Sequence, residues 1–342
     1  MQQKLIALAI ATAFATPALA DNANVNVYGV AYLTADAISS NATGAVSKLR
    51  INSNASRFGV KGSEDVGGGL KAIYQFEVQV DADGSGSNGL GNGTRNSGVG
   101  LEGDFGKVIL GIWDTPFKSA HNKVELFGNT TSFTALNLIG RAGASKNFNT
   151  RLKNQVQYWS PKADGVQGSI SFAPDEAKTA TTNKSDLTLA LTFDQDALYA
   201  AAAYERRPDA TTAGTTDSGL RLVGKYNLGD AWVGATFENF KVNTSATASY
   251  SQNNLELVGQ YKLGADKFAL SFAKAGKTAA ANSGATQLAL RYGHDFSKRT
   301  ELFAAYTTLK NDAAINYDLN SSGIGAAGDT KSVFGAGLIH SF

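Results

Sequence analysis

The residues able to do chemistry in this chain are few. There is no cysteine, so thiolate nucleophiles, thiolate metal sites and disulfides are excluded, and with them a small disulfide-bonded secreted module. The three histidines, His121, His294 and His340, are too scattered to share a metal ion, and neither metal nor cofactor is expected. His294 stands beside Asp295, the one hint of a hydrolase, but adjacent residues of a strand point to opposite faces and cannot bond across one surface. DADGSG at 81–86 opens like a calcium loop, yet its twelfth position is Asn92 rather than glutamate. The glycines of 84–100 can be forced into a GxGxxG pattern, but no helix pattern follows, so a phosphate cradle is not expected. What remains is charge. Arg57 and Lys61 alternate with Phe58 and Val60, and Arg151 and Lys153 alternate against Val156 and Tyr158, so in strands both pairs face water. Fixed cations on a wet surface attract and steer anions, and what that achieves depends on the surface that holds them.

That surface is read from the elements. Lys4, the apolar LIALAIATAF and Ala18–Leu19–Ala20 form a secretory signal pattern, which predicts a leader over 1–20 and a mature domain over 21–342. Without Lys4 the balance is 30 basic against 29 acidic side chains, a net charge of +1 that gives no reason to expect nucleic acid as a partner. The 37 glycines, 18 Phe and 12 Tyr, with only 5 prolines, favour strands and turns. Beyond the leader no apolar run approaches the ~20 residues of a membrane helix, so a membrane role requires a closed barrel.

Period two recurs along the chain. SDLTLALTF sets Leu187, Leu189, Leu191 and Phe193 against Asp186, Thr188, Ala190 and Thr192, and NLELVGQYKL, GLRLVGKYNL, TQLALRYGHDF and the final VFGAGLIHSF repeat the pattern. Very short turns, such as GD at 229–230 and GAD at 264–266, alternate with long Gly/Ser/Thr/Asn-rich segments, the signature of an outer-membrane barrel. An opening strand near 24–34, seven hairpins and a closing strand over 331–342 predict an all-β, 16-stranded antiparallel transmembrane barrel, wide enough for an aqueous channel. A soluble sandwich or propeller also alternates. Aromatics near strand ends on the apolar face (Tyr226, Tyr261, Tyr292, Phe296) and charges at mid-strand on the other weigh against it.

SRFGVKGSEDVGGGLKAIYQFE, the hairpin SGVGLEGDFGKVILG with its DTPFK, the SKRT turn and the ending GLIHSF together resemble the general porins of Gram-negative bacteria, closest to the beta-proteobacterial and neisserial type, over the whole mature chain. The resemblance implies a homotrimer in the outer membrane, in contact with lipid and lipopolysaccharide, passing small hydrophilic solutes and ions, with an inward-folded third loop. It implies that the closing strand, with Phe334, Leu338, His340 and Phe342 on the lipid side, pairs with the first strand and is read by the barrel assembly machinery.

It also implies that Arg57, Arg95 and Arg151 match positions of a basic ladder at the pore constriction, with Lys61 and Lys153 on the same wet face. Arg95 conflicts in parity with Val99 and Leu101, so either a bulge intervenes or it belongs to the loop. Residues 114–150 mix apolar and charged types, unlike the other connectors, and are read as the constriction loop, with Asp114 and Glu125 as its carboxylates facing the arginines. The enterobacterial Pro-Glu-Phe-Gly motif is missing, and Ile109 and Ile112 stand where family members often carry a basic residue. The expected function is passive, size-limited diffusion with a weak anion preference and no catalysis. The alternatives are a barrel-anchored adhesin using its long polar loops, and a substrate-specific channel, for which Trp159, Tyr199, Trp232 and Phe303 have the right parity.

Overall fold

A computed structural model describes residues 23–85, 90–320 and 322–342. The leader reading of 1–20 and part of the calcium-loop reading lie outside the described residues. The strands follow the alternating segments: β1 Ala23–Ser40, β2 Lys48–Ser53 resuming as Arg57–Gly67, β3 Leu70–Val80, β4 Leu90–Thr94 resuming as Ser97–Gly103, β5 Gly106–Asp114, β6 Arg151–Trp159, β7 Val166–Ala173 and β8 Asp186–Gln195. They continue as β9 Leu198–Pro208, β10 Thr216–Leu228, β11 Ala231–Asn243, β12 Ser249–Leu263, β13 Asp266–Ala275, β14 Ala285–Ser297, β15 Thr300–Asn311 and β16 Thr330–Ser341. Each pairs antiparallel with its neighbours, and β16 pairs with β1 from Val30–Ser341 to Ser40–Lys331, so the sheet closes. The opening strand runs longer than the sequence predicted because β16 supplies partners for its second half.

Apolar residues at alternate positions, such as Leu220, Leu222, Tyr226 and Leu228 on β10, are exposed on the outer wall, which in hydrocarbon is the favourable side. No helix among the described residues is long and apolar enough to cross a membrane. The short turns lie together at one end, periplasmic by the rule for such barrels. One is the two-residue turn at Gly229–Asp230, where Gly229 has φ +79°, a left-handed conformation that a Cβ would strain.

The long connector after β5 does not stay outside. Its short helix α1 (Pro116–Ala120) is capped by the Thr115 hydroxyl accepting from Lys118 N–H, and a 3₁₀ turn follows at Ala135–Asn137. Phe117, Ala120, Val124, Ala142 and Phe148 are buried against β8–β12, while Phe127, Phe133, Leu138 and Ile139 are buried against β13–β16 and β1. The wall is cut to receive it: inward positions hold alanine at 190, 201, 203, 269, 273, 275, 285, 289 and 305, all buried. Small side chains there let a folded segment lie flat within the ring, and burying its phenylalanines drives the insertion.

Polar wall residues then satisfy its backbone. Tyr32 Oη donates to Phe127 O, Tyr199 Oη to Ala120 O, Arg221 Nη1 to Phe117 O and Arg291 Nη1 to Leu126 O, while Glu238 accepts from Gly140 N–H. Backbone groups buried without such partners would cost a few kcal/mol each, roughly 1–3. The connector between β15 and β16 also folds inward, burying Tyr317, Leu319 and Ile324 beside the inserted loop. The free passage is thus displaced toward the wall of β2–β6.

Candidate functional site: the pore eyelet

On that wall three arginines converge from separate strands. Arg57 leads the second half of β2, Arg95 sits in the break of β4 between Thr94 and Ser97, and Arg151 opens β6. Of the two alternatives open for Arg95, the structure shows the irregular strand: the break resets its parity, so Arg95 reaches the lumen while Val99 and Leu101 stay on the lipid face. Glu77 of β3 joins two of them. Its carboxylate lies 2.5 Å from Arg95 Nε and 3.6 Å from Arg57 Nε, and it accepts from Tyr28 Oη at 2.9 Å. Tyr28 reaches across because its β2 neighbour is Gly59, where a Cβ would lie 2.5 Å from the phenol ring.

Asp114 organises the third. It accepts from Lys118 Nζ at 2.8 Å and lies 3.0 Å from Arg151 Nη2. Asn96 Oδ1 clamps the assembly by accepting from Arg151 Nε at 2.7 Å and from Asp114 N–H at 3.0 Å. Burial draws Lys118 below the ordinary lysine value, against the pull of Asp114. Four cations therefore share two carboxylates, Glu77 and Asp114, and the eyelet carries a net local charge of +2. Charge-assisted bonds fix the guanidinium planes but leave N–H donors available to a passing anion, a geometry suited to transient contact.

Contiguous with the eyelet, a cavity of about 470 Å³ is lined by Arg95, Lys118, Arg141 and Arg151, by amides including Asn129 and Asn147, and by Asp318. Asp318 comes from the inward-folded β15–β16 connector. Burial pulls its carboxyl up, but the Ser322 hydroxyl bond, the nearby Lys331 ammonium and backbone N–H groups hold it below the ordinary aspartate value. Asp318 is the one carboxylate among the described residues lining this cavity.

Two expected site residues lie elsewhere. Glu125 does not face the arginines: it is buried within the inserted loop, accepting from Phe127 N–H at 2.7 Å and Thr134 Oγ1 at 2.6 Å, and its burial raises its pKa. It braces the loop from inside, where a strand-parity argument has no purchase. Lys153 stands on the outer wall among Phe76, Val99, Leu110 and Ile112, because a bulge between Leu152 and Gln155, with Asn154 at φ +54°, turns it outward. Lys61 does face the lumen, one level toward the short-turn end, beside Lys107.

Phe334, Leu338 and Phe342 project outward, with His340 accompanying them and its Nδ1 within 2.9 Å of Thr300 Oγ1. Phe342 exchanges both backbone hydrogen bonds with Gly29, at 3.0 and 3.1 Å. His294 lies outward and contacts Asp266 at 2.7 Å, while Asp295 pairs with Lys267, so the adjacent pair in the sequence forms no dyad. Phe303 is buried against Tyr32, and Tyr199 is buried against the inserted loop with its hydroxyl on Ala120 O, so neither belongs to the aromatics that line the passage.

The residues missed from sequence are Glu77, Lys118, Asn96, Arg141 and Asp318. Glu77 was recoverable, since it shares parity with Gln75 and Gln79 against Phe76 and Val78. For Asp318 the available signal was Ile315, Leu319 and Ile324 in a connector, the same mixture that marked the inserted loop.

The chain has relatives among known proteins. A family model described as Gram-negative porin matches residues 7–314. The chain is 29% identical over its whole length to outer membrane porin protein 32 of Delftia acidovorans, all of which is covered. It is 31% identical to the major outer membrane protein P.IB of Neisseria gonorrhoeae over 62% of this chain and 59% of that protein. Among solved structures, the anion-selective porin from Comamonas acidovorans superposes with a TM-score of 0.81 at 26% identity, covering 94% of this chain and all of that one.

Proposed function

The chain belongs to the Gram-negative porin family and forms a diffusion porin of the outer membrane, and from the charges at its eyelet we infer that it passes small hydrophilic solutes with a weak preference for anions. The observation that carries the inference is the charge ratio on the wall that the inserted loop leaves free: Arg57, Arg95, Arg151 and Lys118 against Glu77 and Asp114. A net positive eyelet lowers the entry barrier for an anion, and carboxylates interleaved with the cations keep its exit fast. The relative from Comamonas acidovorans is itself described as anion-selective, which supports the same reading. We assign no catalytic role to the barrel.

The reading includes a homotrimer, with the lipid-facing wall meeting outer-membrane lipid and lipopolysaccharide, and a closing strand presenting Phe334, Leu338, His340 and Phe342 to the assembly machinery. Its support is the resemblance of the closing strand together with the Phe342–Gly29 bonds that complete the ladder. The test is single-channel recording of the refolded protein in a planar bilayer under a KCl gradient. Insertions that open in three steps, with a reversal potential on the anion side, are expected. Silence from correctly folded protein, or a cation-side potential, would overturn it.

A further inference from the structure

We propose that the periplasmic half of the passage carries a second solute site, distinct from the eyelet, that favours carboxylates attached to a flat ring. The proposal deepens the porin reading and rests on it.

The site is built from lysines laid over aromatic rings. Lys107 Nζ lies 4.2 Å from the centroid of Trp159, and Lys61 Nζ lies 5.1 Å from that of Tyr28. A third such unit stands farther round the ring, with Lys225 Nζ 4.0 Å from the centroid of Trp232. Among the described residues none of these three lysines forms an ion pair, whereas Lys118, Lys123 and Lys267 all do. An ammonium over a ring face is held in place by the ring quadrupole yet keeps N–H bonds free toward the lumen.

Lys61 and Lys107 open on one cavity of about 410 Å³, whose wall includes Trp113, Gln75 and Asn26. Trp113 meets Trp159 edge to face, with centroids 6.1 Å apart and planes at 77°. The cavity thus sets two unpaired ammonium groups beside an indole. Glu102, the register partner of Lys107, is the one carboxylate among its described lining residues, so the local charge stays positive. An aliphatic anion placed there gains the charge alone, and a cation is repelled. An anion with a flat ring gains both terms, its carboxylate accepting from Lys107 or Lys61 while its ring lies against Trp113. The volume suits a single-ring solute.

The position gives the site its use. Arg57 and Lys61 project from the same face of β2 four residues apart, roughly 13 Å at the rise of a strand. A carboxylate released by the eyelet therefore meets the lysine cavity as its next favourable stop on the way in. Two sites in series, each shallow, speed net passage where one deep site would hold the solute.

The test uses the full refolded channel in a planar bilayer, with benzoate or the non-planar cyclohexanecarboxylate added on the short-turn side and interruption of the KCl current recorded. Benzoate is expected to reach half-effect at a concentration about two- to tenfold lower, the range that ring-on-ring contact adds. Trp113→Leu should close that gap and Trp113→Phe should keep part of it, both read on channels of wild-type unit conductance. Lys107→Gln should weaken both probes together. Equal action of the two probes on the conducting wild-type channel, or a gap that survives Trp113→Leu, overturns this proposal alone. Absence of KCl conductance in folded protein overturns it together with the porin reading.

Discussion

Replacing Glu77 by glutamine should make the pore more anion-selective. Glu77 is the carboxylate between Arg57 and Arg95, so Glu77→Gln raises the net charge of the eyelet from +2 to +3 while keeping an acceptor for the Tyr28 hydroxyl. For an ion passing ~8 Å away through water the removed unit charge is worth about 0.5 kcal/mol, from 332/(80 × 8). Screening at ~0.1 M salt, with a Debye length of about 10 Å, leaves roughly half of that. The change acts with opposite sign on chloride and potassium, so their permeability ratio should move by about 0.5 kcal/mol, or roughly twofold. The assay is the reversal potential across a tenfold KCl gradient, read on variant channels that insert normally. Arg57→Ser should move the ratio the other way by a similar factor. A Glu77→Gln pore with an unchanged or more cation-sided potential would refute the placement of Glu77 on the wall that the inserted loop leaves free.

Other outcomes follow from the same geometry. Phe133→Ala should destabilise the inserted loop by about 3–5 kcal/mol, since the ring is fully buried between the loop and the β13–β16 wall, and unit conductance should become larger and noisier. Glu125 has its pKa raised by burial, with His121, Glu256 and Thr134 around it, so the stability it contributes is full below the ordinary glutamate value of about 4.3 and is lost as pH rises through the raised one. Glu125→Gln should therefore flatten the melting temperature against pH across that window, and a profile identical to wild type would count against the assignment. Lys153→Ser should leave the reversal potential unmoved, because Lys153 stands on the outer wall; a shift toward cations would return it to the lumen.

The strands were legible because a wall with lipid on one side and water on the other imposes period two on every segment, and β8 to β16 obey it apart from one register shift between Asp295 and Ser297 at the end of β14. Parity failed where the backbone breaks the period: the bulge at Asn154 carried Lys153 outward, and the gap between Thr94 and Ser97 reset Arg95. The inserted loop was recognisable from its apolar residues, but which of its carboxylates faces the water depends on how it folds upon itself. Asp114 belongs to the end of β5 and lies beside Arg151, whereas Glu125 points into the packed side of the loop. The alanines along β8–β15 were visible as a pattern, yet their meaning emerges only once Phe117, Phe133 and Phe148 are seen resting against them.

The seam between β1 and β16 joins residues about 310 positions apart, from Val30 to Ser341. Bringing such distant segments together costs about 5 kcal/mol of chain entropy by the logarithmic rule for loop closure. The other strand pairs are nearly all between sequence neighbours, so the sheet can grow locally as a ribbon and acquires its one long-range contact last. Until that moment both free edges must be shielded from hydrocarbon, where each unpaired backbone group costs several kcal/mol. Joining the ribbon's two margins is therefore a single late, concerted event in which a dozen bonds form together. A chain arrested just before it would be nearly complete in sheet yet unable to rest in the bilayer, which makes the seam the natural point at which defective molecules are sorted from sound ones.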